Sequence, residues 1–225
     1  MNITEAIKRR HSTRSYIEEK YSDAALQKIN SLFKQVKPLE SENINWTIEK
    51  DDKNTGKIFS NVDDNWKFRI CYGFQGEQII LKLTQLGYNT LWRAIGSERP
   101  AELLFGHAKN KSMKESIARL LTGNGNRKPL STFIEKDVSK ISELGRECFE
   151  LCRLAPSGMN RQPWKFDEDG NSIIIEITGK SSINALDFGI VIAHAYLFLE
   201  EKKKEITLHF ENDYKCILNF QDRKI

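Results

Sequence analysis

The sequence has no apolar run long enough to cross a bilayer. Its longest mostly apolar stretch, Leu186 to Leu199, is interrupted by Asp187 and His194 and runs into Glu200, Glu201 and three lysines, short of the roughly 20 residues a spanning helix needs. Cysteine is scarce. The four present, Cys71, Cys148, Cys152 and Cys216, include no CxxC pair. Cys148 and Cys152 stand one helical turn apart on an apolar face, where core thiols are expected rather than metal ligands. The four histidines lack metal-ligand spacing, and His194, inside an apolar stretch, reads as a core histidine. The opening MNITEAIKRR places its basic cluster after the apolar positions, the reverse of a secretory leader. Membrane-spanning, disulfide-stapled and metal-organised classes are set aside, and a reduced cytoplasmic setting is expected.

A dominant charge is missing too. Thirty-five Lys and Arg against 31 Asp and Glu leave a net charge of +4. The basic residues are dispersed except for Lys8-Arg9-Arg10 and Lys202-Lys203-Lys204, with no aromatic interleaving, so no nucleic-acid partner is expected. The lysine triplet suits the C-terminal end of a helix, where cations complement the dipole. What is present is a chain of 225 residues, 39% hydrophobic, with length for a real core.

Periodicity predicts a mixed α+β order in which helices cover an antiparallel or mixed sheet. Helices are expected from Thr4 to Arg10, from the Ser22 N-cap to Pro38, and from Glu77 to Leu86 with Gly87 closing it. Two more are expected, from Ser112 to the Gly123-Asn124-Gly125 stop and from Ile141 to Leu154. Ser182 to Glu201 is apolar almost all round and predicts a buried central helix. Strands are expected at Asn45–Lys50, through Trp66, Phe68, Ile70 and Tyr72, and at Tyr88–Trp92. A hairpin should turn at Asp169-Gly170, and two alternating strands close the chain.

The two halves repeat each other faintly. A shift of 118 residues lays Pro38 on Pro156 and Trp46 on Trp164. Shifts of 117 and 113 pair Tyr16-Ile17-Glu18 with Phe133-Ile134-Glu135 and Phe74-Gln75-Gly76 with Asp187-Phe188-Gly189. The order of these matches favours a degenerate duplication. The expectation is one composite domain over 1–225, its halves about 1–125 and 126–225. The halves have diverged in complementary ways. The first keeps a basic, hydroxyl-rich loop, Arg9 to Arg14, and the second an uncharged turn, Ala155 to Trp164. In the first half the turn has become Lys37 to Trp46 and has lost its small polar residues.

Each segment has chemistry of its own. Arg10, Ser12 and Arg14 alternate along a loop and could project to one side, where guanidinium groups suit a phosphate dianion; a solvated basic loop is the plain alternative. Pro156 fixes a turn, Gly158 lacks a Cβ, and Ser157 and Asn160 offer hydrogen bonds, which suits close approach of backbone to a flat ligand. A helix-stop turn without a ligand is the alternative there.

Together the segments carry a resemblance. Ile7-Lys8-Arg9-Arg10-His11-Ser12-Thr13-Arg14-Ser15-Tyr16 resembles the N-terminal motif of FMN-dependent nitroreductases. Ala155-Pro156-Ser157-Gly158-Met159-Asn160-Arg161-Gln162-Pro163-Trp164 resembles their APSxxNxQPW motif. Asn126-Arg127-Lys128-Pro129-Leu130 is similar to their basic KPL-type segment, and Leu91-Trp92-Arg93-Ala94 loosely matches a segment that offers backbone contacts to the flavin ring. The resemblance implies a nitroreductase-like α+β fold in which FMN lies between subunits. It implies that Arg10, Ser12, Arg14 and Arg127 contact FMN from one side, and Pro156, Ser157, Gly158 and Asn160 from the other.

The second motif lies far down this chain, as in a nitroreductase subgroup with internally duplicated halves, a fused pseudo-dimer. The implied activity is NAD(P)H oxidation with hydride passed through flavin to a nitroaromatic, quinone or similar small-molecule acceptor. No side-chain acid, base or nucleophile is required, because the cofactor does the redox chemistry. A monomer or weak homodimer is expected. The alternatives are a non-catalytic flavin-binding module and a descendant that has lost FMN.

Overall fold

Local signals set the ends of the helices. Asn2 caps α1 (Ile3–Arg9), accepting the Glu5 amide while the Glu5 carboxylate accepts the Asn2 amide. Ser22 caps α2 (Asp23–Phe33), Asn65 caps α3 (Trp66–Gln85), Ser142 caps α4 (Glu143–Cys152) and Ser181 caps α5 (Ser182–Glu201). Gly87, at φ +92°, supplies the left-handed residue that ends α3. The computed structural model describes residues 1–18, 21–39, 42–50, 55–60, 65–93, 101–109 and 127–223. The helix expected from Ser112 lies outside the described residues.

The strands form two four-stranded sheets rather than one. β1 (Thr47–Lys50), β2 (Gly56–Phe59), β3 (Asn89–Arg93) and β4 (Glu102–Gly106) pair in the order β1-β2-β4-β3. β5 (Trp164–Asp169), β6 (Ser172–Ile177), β7 (Lys204–Asn212) and β8 (Lys215–Asp222) pair in the order β5-β6-β8-β7. Every pairing in both is antiparallel. The hairpin between β5 and β6 turns at Gly170, φ +55°. The run α2-β1-β2-α3-β3-β4 is thus followed by α4-β5-β6-α5-β7-β8, the same sequence of elements with the same strand order.

The centre is the packing of α3 along α5, the most extensive contact between any two elements. Fourteen of the 20 residues of α5 are buried. The stretch expected to be too short and interrupted to span a membrane is, as the 20-residue α5, long and apolar enough by length and composition to do so, yet it is covered by α3, α4 and the second sheet. The strand expected through Trp66, Phe68, Ile70 and Tyr72 is instead the first turns of α3, continuous with the helix expected from Glu77. Fifteen residues of α3 are buried, so apolar side chains are needed on every face, and a period-2 pattern among them carries no strand signal. β2 and β4 have no counterpart among the sequence expectations. Around the two helices lies one large apolar cluster that includes Phe149, Trp164, Phe166, Phe188 and Phe198. A smaller cluster beneath α2 includes Ile29, Leu32, Ile58, Leu103 and Phe105.

Candidate functional site

α4 ends at Cys152, and the chain turns through Pro156 before β5. Met159, Asn160 and Gln162 have φ of +52°, +56° and +53°. None is a glycine, and each costs on the order of 1 kcal/mol or more in that region, so the surroundings must hold them. Arg127 does so first. Its guanidinium donates to the carbonyls of Leu154 (2.9 Å) and Ala155 (2.7 Å) and to Asn160 Oδ1 (3.0 Å). The buried Gln162 side chain accepts the Lys128 amide (3.0 Å) and donates to the Asn160 carbonyl (3.1 Å). Ser157 Oγ accepts the Gln162 amide at 3.0 Å.

From α5, the Asp187 carboxylate accepts the Gly158 amide through both oxygens, at 2.9 and 3.1 Å. Burial pushes the Asp187 carboxyl up to about 7, against the opposing pull of the Gly158 N–H and the Arg161 charge. A Cβ on Gly158 would overlap the Ile183 side chain. The missing Cβ therefore makes room for α5, not for open space above the turn. Met159, 84% exposed, and Asn160 form the outer lip.

The basic loop leaves α1 at Arg10, whose amide caps the helix on the Ala6 carbonyl at 2.8 Å. Ser12 then bridges to Thr90 of β3 in parallel sense, and the Thr13 amide donates to the Thr90 carbonyl at 3.0 Å. The alternation of Arg10, Ser12 and Arg14 does not bring them to one common level. Arg10 is 3% exposed, Ser12 half-buried and Arg14 exposed, because Arg10 still belongs to the helix end and the extended run begins after it. Of the Leu91–Ala94 segment, Leu91 to Arg93 lie in β3 and Ala94 falls outside the described residues. Asn126 likewise falls outside them.

Arg10 and Arg127 share one electrostatic neighbourhood. Desolvation lowers the Arg10 guanidinium from its ordinary value, with the Glu77 charge opposing. Arg127 is pushed down to about 10, first by burial and then by the like charge of Arg10, with Glu77 again opposing. The loop after α1 and the clamp on the second-half turn therefore converge, although more than a hundred residues separate them. The buried hydroxyls of Thr13 and Thr90 have no hydrogen-bond partner among the described residues. No group of metal-binding side chains occurs among them either.

Glu77 was not singled out from the sequence, yet it lies at the middle of this region. It is 0% exposed and accepts the Trp92 indole N–H at 2.7 Å. Its other oxygen lies 3.0 Å from His194 Nε2, and His194 Nδ1 lies 2.9 Å from the Leu151 carbonyl. His194 is thus a satisfied core histidine, as expected, with an unexpected partner. The local signal was a carboxylate in the midst of an apolar helix, where ionisable groups are rarely buried unless paired. The first-half turn is fastened differently: Gln78 pairs through both amide atoms with the Lys37 backbone, each at 2.9 Å, and Gln75 donates to the Glu42 carbonyl at 2.6 Å.

The chain matches the family described as "Putative TM nitroreductase" over residues 2–198. It belongs to that family. A solved structure titled as a putative nitroreductase from Thermotoga maritima MSB8 is 30% identical to it, with a TM-score of 0.82, covering 97% of this chain and 94% of the other. No curated protein matches the chain. Membership in this nitroreductase family makes an oxidoreductase the coarse description of the chain, and the antiparallel sheets with their central helices are the fold of its structural relative.

Proposed function

We propose that this nitroreductase-family chain binds FMN between the loop Arg10–Arg14 and the turn Pro156–Asn160, and acts as an NAD(P)H-dependent oxidoreductase. The observation that carries the reading is the convergence of Arg10 and Arg127. Two desolvated guanidinium groups repel each other, and a phosphate dianion between or beside them would offset both their desolvation and their repulsion. Other features fit the same group. Ser12 and Asn160 offer polar contacts, and the unpartnered hydroxyls of Thr13 and Thr90 leave donors and acceptors beside the loop. The chemistry FMN supplies when bound is acceptance of hydride from NADH or NADPH and its transfer to a nitroaromatic, quinone or similar acceptor.

The chain's own residues bind and orient. Arg10 and Arg14 supply positive charge on one side, Ser12 a hydroxyl, and Arg127 fixes the turn that carries Pro156, Ser157, Gly158 and Asn160. The repeated order of helices and strands supports descent from a duplicated unit, so one chain would supply both sides of a site that separate subunits would otherwise share. No partner chain is needed in that reading.

A second reading is favoured by Arg127 itself. It spends three of its five N–H donors on the protein's own turn, as a chain that had lost FMN, or bound it without turnover, could also do. Absorption spectroscopy after adding FMN, followed by NAD(P)H oxidation, separates the three cases. Flavin bands with turnover support the enzyme, bands without turnover the binding module, and no bands the descendant. Arg10→Ala and Asn160→Ala should each weaken FMN binding by roughly tenfold or more. Undiminished affinity in both overturns the site.

A further inference from the structure

Exposed apolar side chains and cations without a carboxylate partner meet at one place on the surface, the outer side of the turn after α4. Met159 is 84% exposed at φ +52°. A glycine would adopt that backbone region without strain, so the fold does not call for the side chain that Met159 holds out to solvent. Ile183 is 44% exposed in the first turn of α5, with its Cγ2 2.4 Å from where a Cβ on Gly158 would stand. Two large exposed apolar side chains thus adjoin Gly158, although α5 buries most of its other residues.

Two cations lie on the same rim. The exposed Arg161 guanidinium reaches Met159 Sδ at 3.5 Å, and the exposed Lys128 ammonium donates to the Arg161 carbonyl at 2.9 Å. Neither is paired with a carboxylate among the described residues, whereas Lys37, Lys136, Arg153 and Lys202 each are. Asp187 feels the Arg161 charge, but it is buried and both of its oxygens accept the Gly158 amide. The chemistry that suits this rim is narrow. A thioether is polarizable and favours contact with aromatic rings, and a guanidinium meets a carboxylate or phosphate through a planar fork. A bare anion would leave the apolar pair unused, and an uncharged ring would leave the cations unused.

We propose that Met159, Ile183, Arg161 and Lys128 form a lip that holds a flat aromatic ring bearing an anionic substituent, with Arg161 selecting for the negative charge. Two kinds of redox partner share that chemistry, a nicotinamide nucleotide and an aromatic acid that serves as acceptor. The proposal rests on the flavin reading for why such a ring comes to this turn, not for the lip itself. Arg161 is a specificity-determining residue: it discriminates among rings and is assigned no part in the transfer of hydride.

The chain has three methionines, Met1, Met113 and Met159, so ¹³C-methyl methionine spectra can watch the lip directly, with Met159→Leu assigning its signal. The probes are two matched pairs: 4-nitrobenzoate with 4-nitrobenzamide, and nicotinamide mononucleotide with the phosphate-free riboside. Each is titrated into wild type and Arg161→Gln, with and without FMN. The anionic member of at least one pair should move the Met159 signal and bind roughly three- to tenfold more tightly than its match. R161Q should weaken the anionic member and leave its match at least as tight. A response to 4-nitrobenzoate assigns the lip to the acceptor, and one to the mononucleotide assigns it to the reductant. A silent Met159 signal with all four probes overturns the lip. So does equal binding of the two members of both pairs, or an R161Q variant that keeps the preference or weakens both members alike. Flavin absorption bands are read on the same samples: their absence after adding FMN counts against the flavin site, while the titrations without FMN still decide the lip.

Discussion

Gly73 of α3 and Gly189 of α5 face each other's helix backbone at the centre of the molecule. A Cβ on Gly189 would overlap the carbonyl oxygen of Ile70 and crowd the Phe74 amide, and one on Gly73 would overlap the Leu186 carbonyl and crowd the Ile190 amide. The two clashes mirror each other, each glycine meeting the residues three before and one after the other. Neither obstacle is the end of a flexible side chain, so a methyl group forces the helices apart.

Gly189→Ala and Gly73→Ala should therefore each destabilise the chain by about 2–4 kcal/mol, despite alanine's better helix propensity. Urea unfolding followed by circular dichroism reads this. A gain in stability in either variant would mean the helices can separate without cost.

Asp187 predicts a pH dependence of stability. Its carboxyl releases a proton near 7 in the folded chain and near 3.9 in an unfolded one. Between about pH 4 and pH 7 the folded state holds a proton the unfolded state lacks, so this group's contribution falls as pH rises through that window and is flat above it. Asp187→Asn still accepts the Gly158 amide and does not titrate. Relative to that variant, the wild type should lose about 2–4 kcal/mol from pH 4 to pH 7, measured by urea midpoints at each pH. Parallel curves would refute a raised carboxyl.

Arg127 should matter to the turn before it matters to any ligand. Arg127→Ala removes three hydrogen bonds and leaves two carbonyls and an amide oxygen to water, at a cost of about 1–3 kcal/mol. Asn160→Ala loses only one of the three and should cost a fraction of that. Hydrogen exchange over residues 154–162 should rise in the first variant and hardly in the second. Arg127→Lys keeps charge without the planar fork and should fall between them.

Much of the fold was legible because burial leaves compositional traces. An apolar pattern on all sides marked α5, Asp169-Gly170 marked the β5–β6 turn, and Ser22 and Gly87 marked helix ends. The same trace misled at Trp66–Tyr72, where a helix buried on every face also satisfies a period-2 reading. β4 is buried at every position and β2 at three of four, so neither shows the apolar–polar alternation of a half-buried strand. In the candidate site, the turn and the basic loop were visible as motifs. What Gly158 leaves room for, and what Arg127 binds, depended on partners 25 to 33 residues distant. Glu77 and His194, 117 residues apart, left no local sign of each other.

Gln78 stands five residues after Gly73, and His194 five residues after Gly189. Both face a main-chain carbonyl or amide near the end of a neighbouring helix, yet one is a neutral amide that fastens the Lys37 backbone and the other an imidazole that bonds Glu77. In a homodimer with exact two-fold symmetry every substitution strikes both places at once. On one chain each place can drift alone, so one can be given over to holding a loop while the other ties a buried carboxylate to the neighbouring helix.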